Sequence, residues 1–188
     1  MKEILSHPPT LETERLLIRP LALPDAEAIF EYASDPDVSK YVLFDTHRTI
    51  DDSIAFINQV LNCYSNNEPS ALAIILKPEN KLIGTIGYLN WHDQHKRIEI
   101  GYALSAKYWN QGIVTEASIC LINFLFSASD LNRIEARCKV ENIGSSRVME
   151  KVGMKYEGTL REQLFVKGEF NDMKIYSILR HEWSKKYS

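Results

Sequence analysis

The sequence predicts an α+β fold, with helices packed on a mostly antiparallel sheet. Two observations carry this. Between residues 70 and 104, three apolar strand-like runs are joined by short turn-like connections, 77–81 and 91–96, which suit hairpins and not crossovers. Before and after that block, apolar residues recur at helical spacing. There is no internal repeat, low-complexity tract or linker, and 188 residues fit one compact domain, so a single domain over 1–188 is expected.

The first strand is expected from Arg15 to Pro20, with Leu16 and Ile18 on one face. Pro24 and Asp25 open a helix through about Ser34, carrying Ala26, Ile29, Phe30 and Ala33. A second helix runs from about Ile50 to Tyr64, with a stripe of Ile54, Ile57, Val60 and Leu61 and with Asp51 and Asp52 at its positive end. Strands follow at 70–76, 82–90 and 97–104. A helix from Thr115 to Ser127 presents Ala117, Cys120, Leu121, Phe124 and Leu125 along one face. Arg133 to Val140 alternates as a strand, and 145–152 is a short helix ended by Gly153. Residues 155–188 hold two further strands around a turn at 167–172.

Composition narrows the function classes. A net charge of -3 and a pI near 6.0 argue against a general nucleic-acid binder, which would carry a basic face. No apolar run is long enough to span a bilayer, and the stretch from Met1 to Pro9 lacks the apolar core of a signal peptide. Cys63, Cys120 and Cys138 are far apart and lack metal-ligand spacing, so reduced cysteines in a cytoplasmic protein are expected. His92-Asp93-Gln94-His95 reads as a polar hairpin turn, and no metal site is expected.

The stretch from Glu99 to Ala117 carries the chemistry. A strand enters a loop containing Gly112, and the loop opens a helix. The first amides of a helix lack intrahelical acceptors and lie at its positive end, so such a loop can cradle a phosphate. Gly112 permits close approach of an anion, and Thr115 adds a hydroxyl. The glycine spacing fits neither a P-loop nor a dinucleotide fingerprint.

Glu-Ile-Gly-Tyr-x-Leu at 99–104, followed by Tyr-Trp-x-Gln-Gly-x-x-Thr-Glu-Ala at 108–117, resembles the acetyl-CoA loop of the GNAT N-acetyltransferases, most of all the branch containing the RimJ and RimL ribosomal-protein N-terminal acetyltransferases. Residues 11–21 resemble that branch's first strand, 140–154 its Asn-x-x-Ser motif, and 156–172 its C-terminal hairpin. Two positions depart from the pattern. Asn110 stands where glycine is common, and Val114 where glycine or alanine is usual. Weaker or slightly shifted cofactor binding is expected from them.

The resemblance implies a sheet with helices on both faces and a central strand pair, 97–104 and 133–140, that splays apart to admit acetyl-CoA. It implies a pantetheine arm pairing with Ala103 and Leu104, Ser105 also binding the cofactor, and a backbone amide near Leu104 that polarises the thioester carbonyl. The diphosphate would rest on Gln111, Gly112, Ile113, Val114, Thr115 and Glu116, with Asn142 also touching the cofactor. Glu99 is the candidate base that accepts the amine proton, its other reading being a structural carboxylate paired with Arg97 or a lysine. Many family members use a tyrosine seven residues after the motif asparagine as proton donor. Met149 stands there, so the role passes to Ser145, whose other reading is a helix cap. The implied acceptor is a peptide N-terminus, with a small-molecule amine or a non-catalytic acyl-CoA-binding module as alternatives. No nucleic-acid or membrane partner is implied, and a homodimer is left open.

Overall fold

The computed structural model describes residues 4, 5 and 7–187. The reading of residues 1–9 therefore falls partly outside the described residues, as does Ser188. Eight strands form one sheet: β1 (Leu11–Glu12), β2 (Leu16–Pro20), β3 (Ala71–Leu76), β4 (Lys81–His92), β5 (Arg97–Leu104), β6 (Arg133–Lys139), β7 (Lys155–Val166) and β8 (Glu169–Leu179). Their order is β1-β2-β3-β4-β5-β6-β8-β7, and every neighbouring pair is antiparallel except β5–β6. The α-helices after β2 are α1 (Ala26–Ala33), α2 (Pro36–Ser39), α3 (Ile50–Ser65), α4 (Ile113–Ala128), α5 (Ile143–Val152) and α6 (Arg180–Tyr187).

The expected elements are present, and the departures have physical reasons. Helix α4 begins at Ile113 and not at Thr115, because the left-handed Gly112 is its N-cap. Helix α5 begins at Ile143, because Asn142 and not Ser145 is the cap: Asn142 Oδ1 accepts from the Ser145 amide at 3.0 Å. The β7–β8 turn shrinks from six residues to Lys167-Gly168, both at positive φ (55° and 81°), as a two-residue hairpin turn requires. β1, α2 and α6 were not anticipated. The first two are shorter than any periodicity can register, and α6 is a polar segment with little apolar stripe.

Each face of the sheet carries its own core. Ile113, Ala117, Leu121 and Leu125 of α4 and Met149 and Val152 of α5 pack on Ile98, Ile100, Leu104, Ile134 and Ala136. On the opposite face, Ala26, Ile29 and Ala33 of α1 and Ile57 and Val60 of α3 pack on Ala73, Ile75 and Ala103. The strand alternation divides β5 between the two cores.

β5 and β6 pair only through Arg97–Glu99 and Arg133–Glu135. Beyond Glu99, β5 stays with β4 as far as Leu104, and β6 stays with β8 as far as Lys139. The two strands therefore diverge, as the expected splayed pair requires.

The C-terminal end of α4 is locked by Arg180, whose guanidinium donates to the carbonyls of Phe126 (2.9 Å), Ser129 (2.6 Å) and Leu131 (2.6 Å). A cation there also complements the helix dipole. Phe126, fully buried, lies under Arg180 and 5.2 Å from the Trp183 ring of α6. Phe126→Ala is expected to destabilise the protein by about 3–5 kcal/mol through the cavity it leaves, measured as a lower urea midpoint at unchanged slope.

Candidate functional site

The loop after β5 turns through two left-handed residues, Asn110 (φ 61°) and Gly112 (φ 75°). Asparagine tolerates that region better than other side-chain-bearing residues, so the Asn110 departure costs the loop little. Trp109 Nε1 donates to the Leu104 carbonyl at 2.9 Å, and Gln111 Nε2 to the Lys107 carbonyl at 3.1 Å, which folds the loop back on itself. The first intrahelical bond runs from the Glu116 amide to the Gly112 carbonyl at 3.0 Å. The amides of Ile113, Val114 and Thr115 precede it, so they lack intrahelical acceptors and lie at the positive end of a sixteen-residue helix. Glu116, expected among the amide donors, is therefore already engaged.

The Glu116 side chain has a different task. It accepts from Thr13 Oγ1 at 2.5 Å, from Arg15 Nε at 2.7 Å and from the Arg15 amide at 3.2 Å. Arg15 Nη1 also donates to the Gln111 carbonyl at 3.1 Å. This buttress ties the β1–β2 corner to the glycine loop. Burial raises the Glu116 carboxyl pKa, but the bonds from Thr13 and Arg15 outweigh it and hold the group below its ordinary value.

The divergence of β5 and β6 opens a cavity of about 460 Å³. Its lining includes Tyr102 and Leu104 from β5, Gly112, Ile113, Val114 and Thr115 at the start of α4, and Asn142, Ser145, Arg147 and Lys151 around α5. Val114 is half-buried and packs on the α4–α5 core while still reaching the cavity. A second open groove shares Gly112, Thr115 and Lys151 with it and continues over Cys120 and Asn123.

Backbone parity sorts the expected contacts on β5. The Ser105 amide donates to the Ile83 carbonyl at 2.8 Å, toward β4. Ala103, of the same parity and opposite Thr85, also turns its backbone groups toward β4, whereas Tyr102 and Leu104 turn theirs into the gap. The Leu104 carbonyl is taken by Trp109, which leaves its N–H facing the cavity. Of the two residues expected to pair with pantetheine, Leu104 turns its backbone into the gap and Ala103 does not; Tyr102 shares the parity of Leu104. Ala103 touches the cavity, and Ser105 is buried outside its lining.

At the other wall, Ser145 Oγ lies 2.8 Å from the Tyr102 hydroxyl, which also sits 3.3 Å from the Ser145 carbonyl. Glu99 lies at the vertex of the divergence and is buried. Arg137 grips both its carboxylate oxygens, Nε to Oε1 at 2.7 Å and Nη2 to Oε2, while Asn90 Nδ2 donates to Oε2 at 2.9 Å. The expected partner, Arg97, pairs with Glu135 instead. Glu99 is outside the lining of the cavity that gathers the other candidates, on the opposite side of the sheet from Ile98 and Ile100.

Sequence reasoning assigned no role to Arg15, Tyr102, Arg137, Arg147 or Lys151. Arg147 and Lys151 stand four apart on α5, and that spacing was the available signal that both face one way. His92 and His95 lie at the β4–β5 turn, with ring centroids 6.3 Å apart. Among the described residues, no group of three His, Cys, Asp or Glu side chains could hold a metal ion, and no helix is long and apolar enough to cross a membrane. Chemically, the cavity offers free amides and two cations for an anion at one end and a free strand N–H for a developing oxyanion at the other.

A family model described as an acetyltransferase (GNAT) domain matches residues 15–155. The N-acetyltransferase YnaD of Bacillus subtilis is 37% identical over 174 residues, covering 93% of this chain and 99% of the relative. The ribosomal-protein-serine acetyltransferase of Escherichia coli is 31% identical over 99 residues, covering 53% of this chain and 55% of that protein. Among solved structures, a GNAT-family acetyltransferase from Bacillus anthracis superposes with a TM-score of 0.83 at 35% identity, covering 92% of this chain and 99% of its own. The self-immunity acetyltransferase MccE, solved with acetyl-CoA and AMP, gives a TM-score of 0.81 at 26% identity, covering 89% and 93%.

The Glu116 buttress predicts a pH dependence. A carboxyl with a lowered native pKa stabilises the fold above its unfolded value, and that stabilisation is lost as pH falls through the native value. Glu116→Gln is expected to melt below the wild type at neutral pH, with the gap closing as pH drops below the ordinary glutamate range. Thermal melts across a pH series would show it, and a gap that does not change with pH would contradict the assignment.

Proposed function

We propose that this chain, which belongs to the GNAT acetyltransferase family and is an acetyl-CoA-dependent N-acetyltransferase, takes as its acceptor the N-terminal amine of a protein, such as a ribosomal protein. The observation that carries the site assignment is the set of free amides at Ile113, Val114 and Thr115, which open onto a cleft between two diverging strands. The acceptor assignment is supported by the E. coli relative named for acetylating a ribosomal protein and by a B. subtilis relative named as a putative ribosomal N-acetyltransferase, 34% identical over 105 residues.

The residues present fit the cofactor. The amides of Ile113, Val114 and Thr115, with the Thr115 hydroxyl and the cations of Arg147 and Lys151, hold the diphosphate. Gln111 and Gly112 shape the loop that leaves those amides open. Tyr102 and Leu104 offer strand-edge backbone to the pantetheine amides, and the Leu104 N–H stabilises the developing oxyanion. Asn142 contributes by capping α5 and so fixing Ser145 against the cleft. When bound, acetyl-CoA supplies an acetyl group already activated as a thioester.

The acceptor amine must be neutral to attack, and an α-amino group, with an unperturbed pKa near 8, reaches that state more readily than a lysine. Glu99 is retained as the candidate base through Oε1, which accepts a single bond from Arg137 and keeps a lone pair. Ala103 forms part of the cavity wall and Glu116 the buttress, while Ser105 lies outside the lining. A small primary amine is the second reading. The observation favouring it is that Lys167 Nζ donates to the Ser39 carbonyl, tying the β7–β8 hairpin tip to α2.

Three outcomes follow. Gly112→Glu, which places bulk and negative charge in the cradle, is expected to weaken acetyl-CoA binding more than about 100-fold in calorimetry while the far-ultraviolet spectrum stays native; unchanged affinity would contradict the assignment. Glu99→Gln is expected to reduce kcat by about 100-fold and, because it leaves Arg137 without its carboxylate at the strand vertex, to lower the melting temperature as well. Mass spectrometry of cells with and without the protein should find acetylated protein N-termini lost in its absence, whereas loss of acetylated small amines alone would favour the second reading.

A further inference from the structure

Tyr102 and Ser145 stand on opposite walls of the cleft and meet across it, hydroxyl to hydroxyl at 2.8 Å. Ser145 sits in the first turn of α5, its amide already given to Asn142. Its remaining polar freedom is the direction of one hydroxyl hydrogen. Burial pushes the Tyr102 phenol pKa well above its ordinary value. The phenol therefore keeps its proton, and either hydroxyl of the pair can donate to the other. Where Tyr102 donates, Ser145 Oγ at 2.8 Å is a better acceptor than the Ser145 carbonyl at 3.3 Å. A serine hydroxyl that accepts from Tyr102 turns its own hydrogen to the cleft or to the Cys138 thiol, which is a weak acceptor.

We propose that Tyr102 is a positioning residue that fixes the Ser145 hydroxyl as a hydrogen-bond donor toward the sulfur of coenzyme A. This rests on the reading of the cleft as the acetyl-CoA site. In the transfer, the amine nitrogen forms a bond to the carbonyl carbon, the carbon–sulfur bond breaks, and the sulfur leaves with the electron pair. The amine nitrogen loses one proton to a base or water, and the sulfur later gains one from water. Ser145 Oγ–H donates a hydrogen bond to the thiolate without losing its proton, so Tyr102 never needs to become a phenolate. Met149 is buried in the core and has no hydrogen to donate, so it cannot make this contact.

The test reads the bound thiol directly. The pKa of coenzyme A bound to the protein is measured from ultraviolet thiolate absorbance, beside calorimetric affinities for coenzyme A and desulfo-coenzyme A. Tyr102→Phe is expected to raise the bound thiol pKa by about one pH unit, a tenfold change in the thiol–thiolate ratio, with desulfo-coenzyme A affinity changed less than about twofold. Ser145→Ala should raise it at least as far, and the double variant no further than Ser145→Ala alone. A bound thiol pKa unmoved by Tyr102→Phe, or an equal loss of affinity for both ligands, would overturn the role of Tyr102 and leave the cleft assignment standing. Desulfo-coenzyme A affinity unaffected by Gly112→Glu would instead remove the cleft assignment and this inference with it.

Discussion

Everything at the site depends on where the β5–β6 ladder stops. A parallel pair that continued to Leu104 would satisfy the Tyr102 and Leu104 backbone internally and leave no room between the walls. Instead each strand is claimed by its antiparallel neighbour, β5 by β4 and β6 by β8, and pairing ends at Glu99 and Glu135. Unpaired strand backbone is costly when buried dry, so the gap is a place that a polar chain can complete. The same divergence sets the starts of α4 and α5 side by side at the mouth.

The vertex has to be held firmly for that geometry to persist. Glu99, gripped by Arg137 from β6 and by Asn90 from β4, joins three strands at the point of separation. Breaking one partner of a buried ion pair leaves an uncompensated charge, so this junction resists sliding of the strands. At the far end, Arg15 and Thr13 clamp Glu116, and Arg180 clamps the last carbonyls of α4. The helix that presents free amides to the cleft is thus anchored at both ends by side chains from distant parts of the chain.

Much of this was legible in the residue pattern. The boundaries of β5 follow from its alternation and from the polar turn before it, and α1 and α3 follow from their apolar stripes. A helix opening just after Gly112 was legible because that glycine precedes a periodic apolar stripe. What escaped was of two kinds. Elements too short for a period to register, β1 and α2, carry no local signal. Pairings between distant positions, such as Arg15 with Glu116 or Tyr102 with Ser145, depend on the fold that brings them together. Ser145 illustrates the limit. Serine favours a helix cap, but Asn142 accepts the bond first, and only the folded chain shows that the serine hydroxyl is left to Tyr102.

In the proposed complex the amides of Ile113, Val114 and Thr115 receive the diphosphate of coenzyme A. Backbone amide resonances followed during titration with coenzyme A report on that contact. These three amides are expected to move most among the α4 residues, while the Glu116 amide, already bonded to Gly112, moves far less. Saturation of the protein with those three resonances unmoved would contradict it.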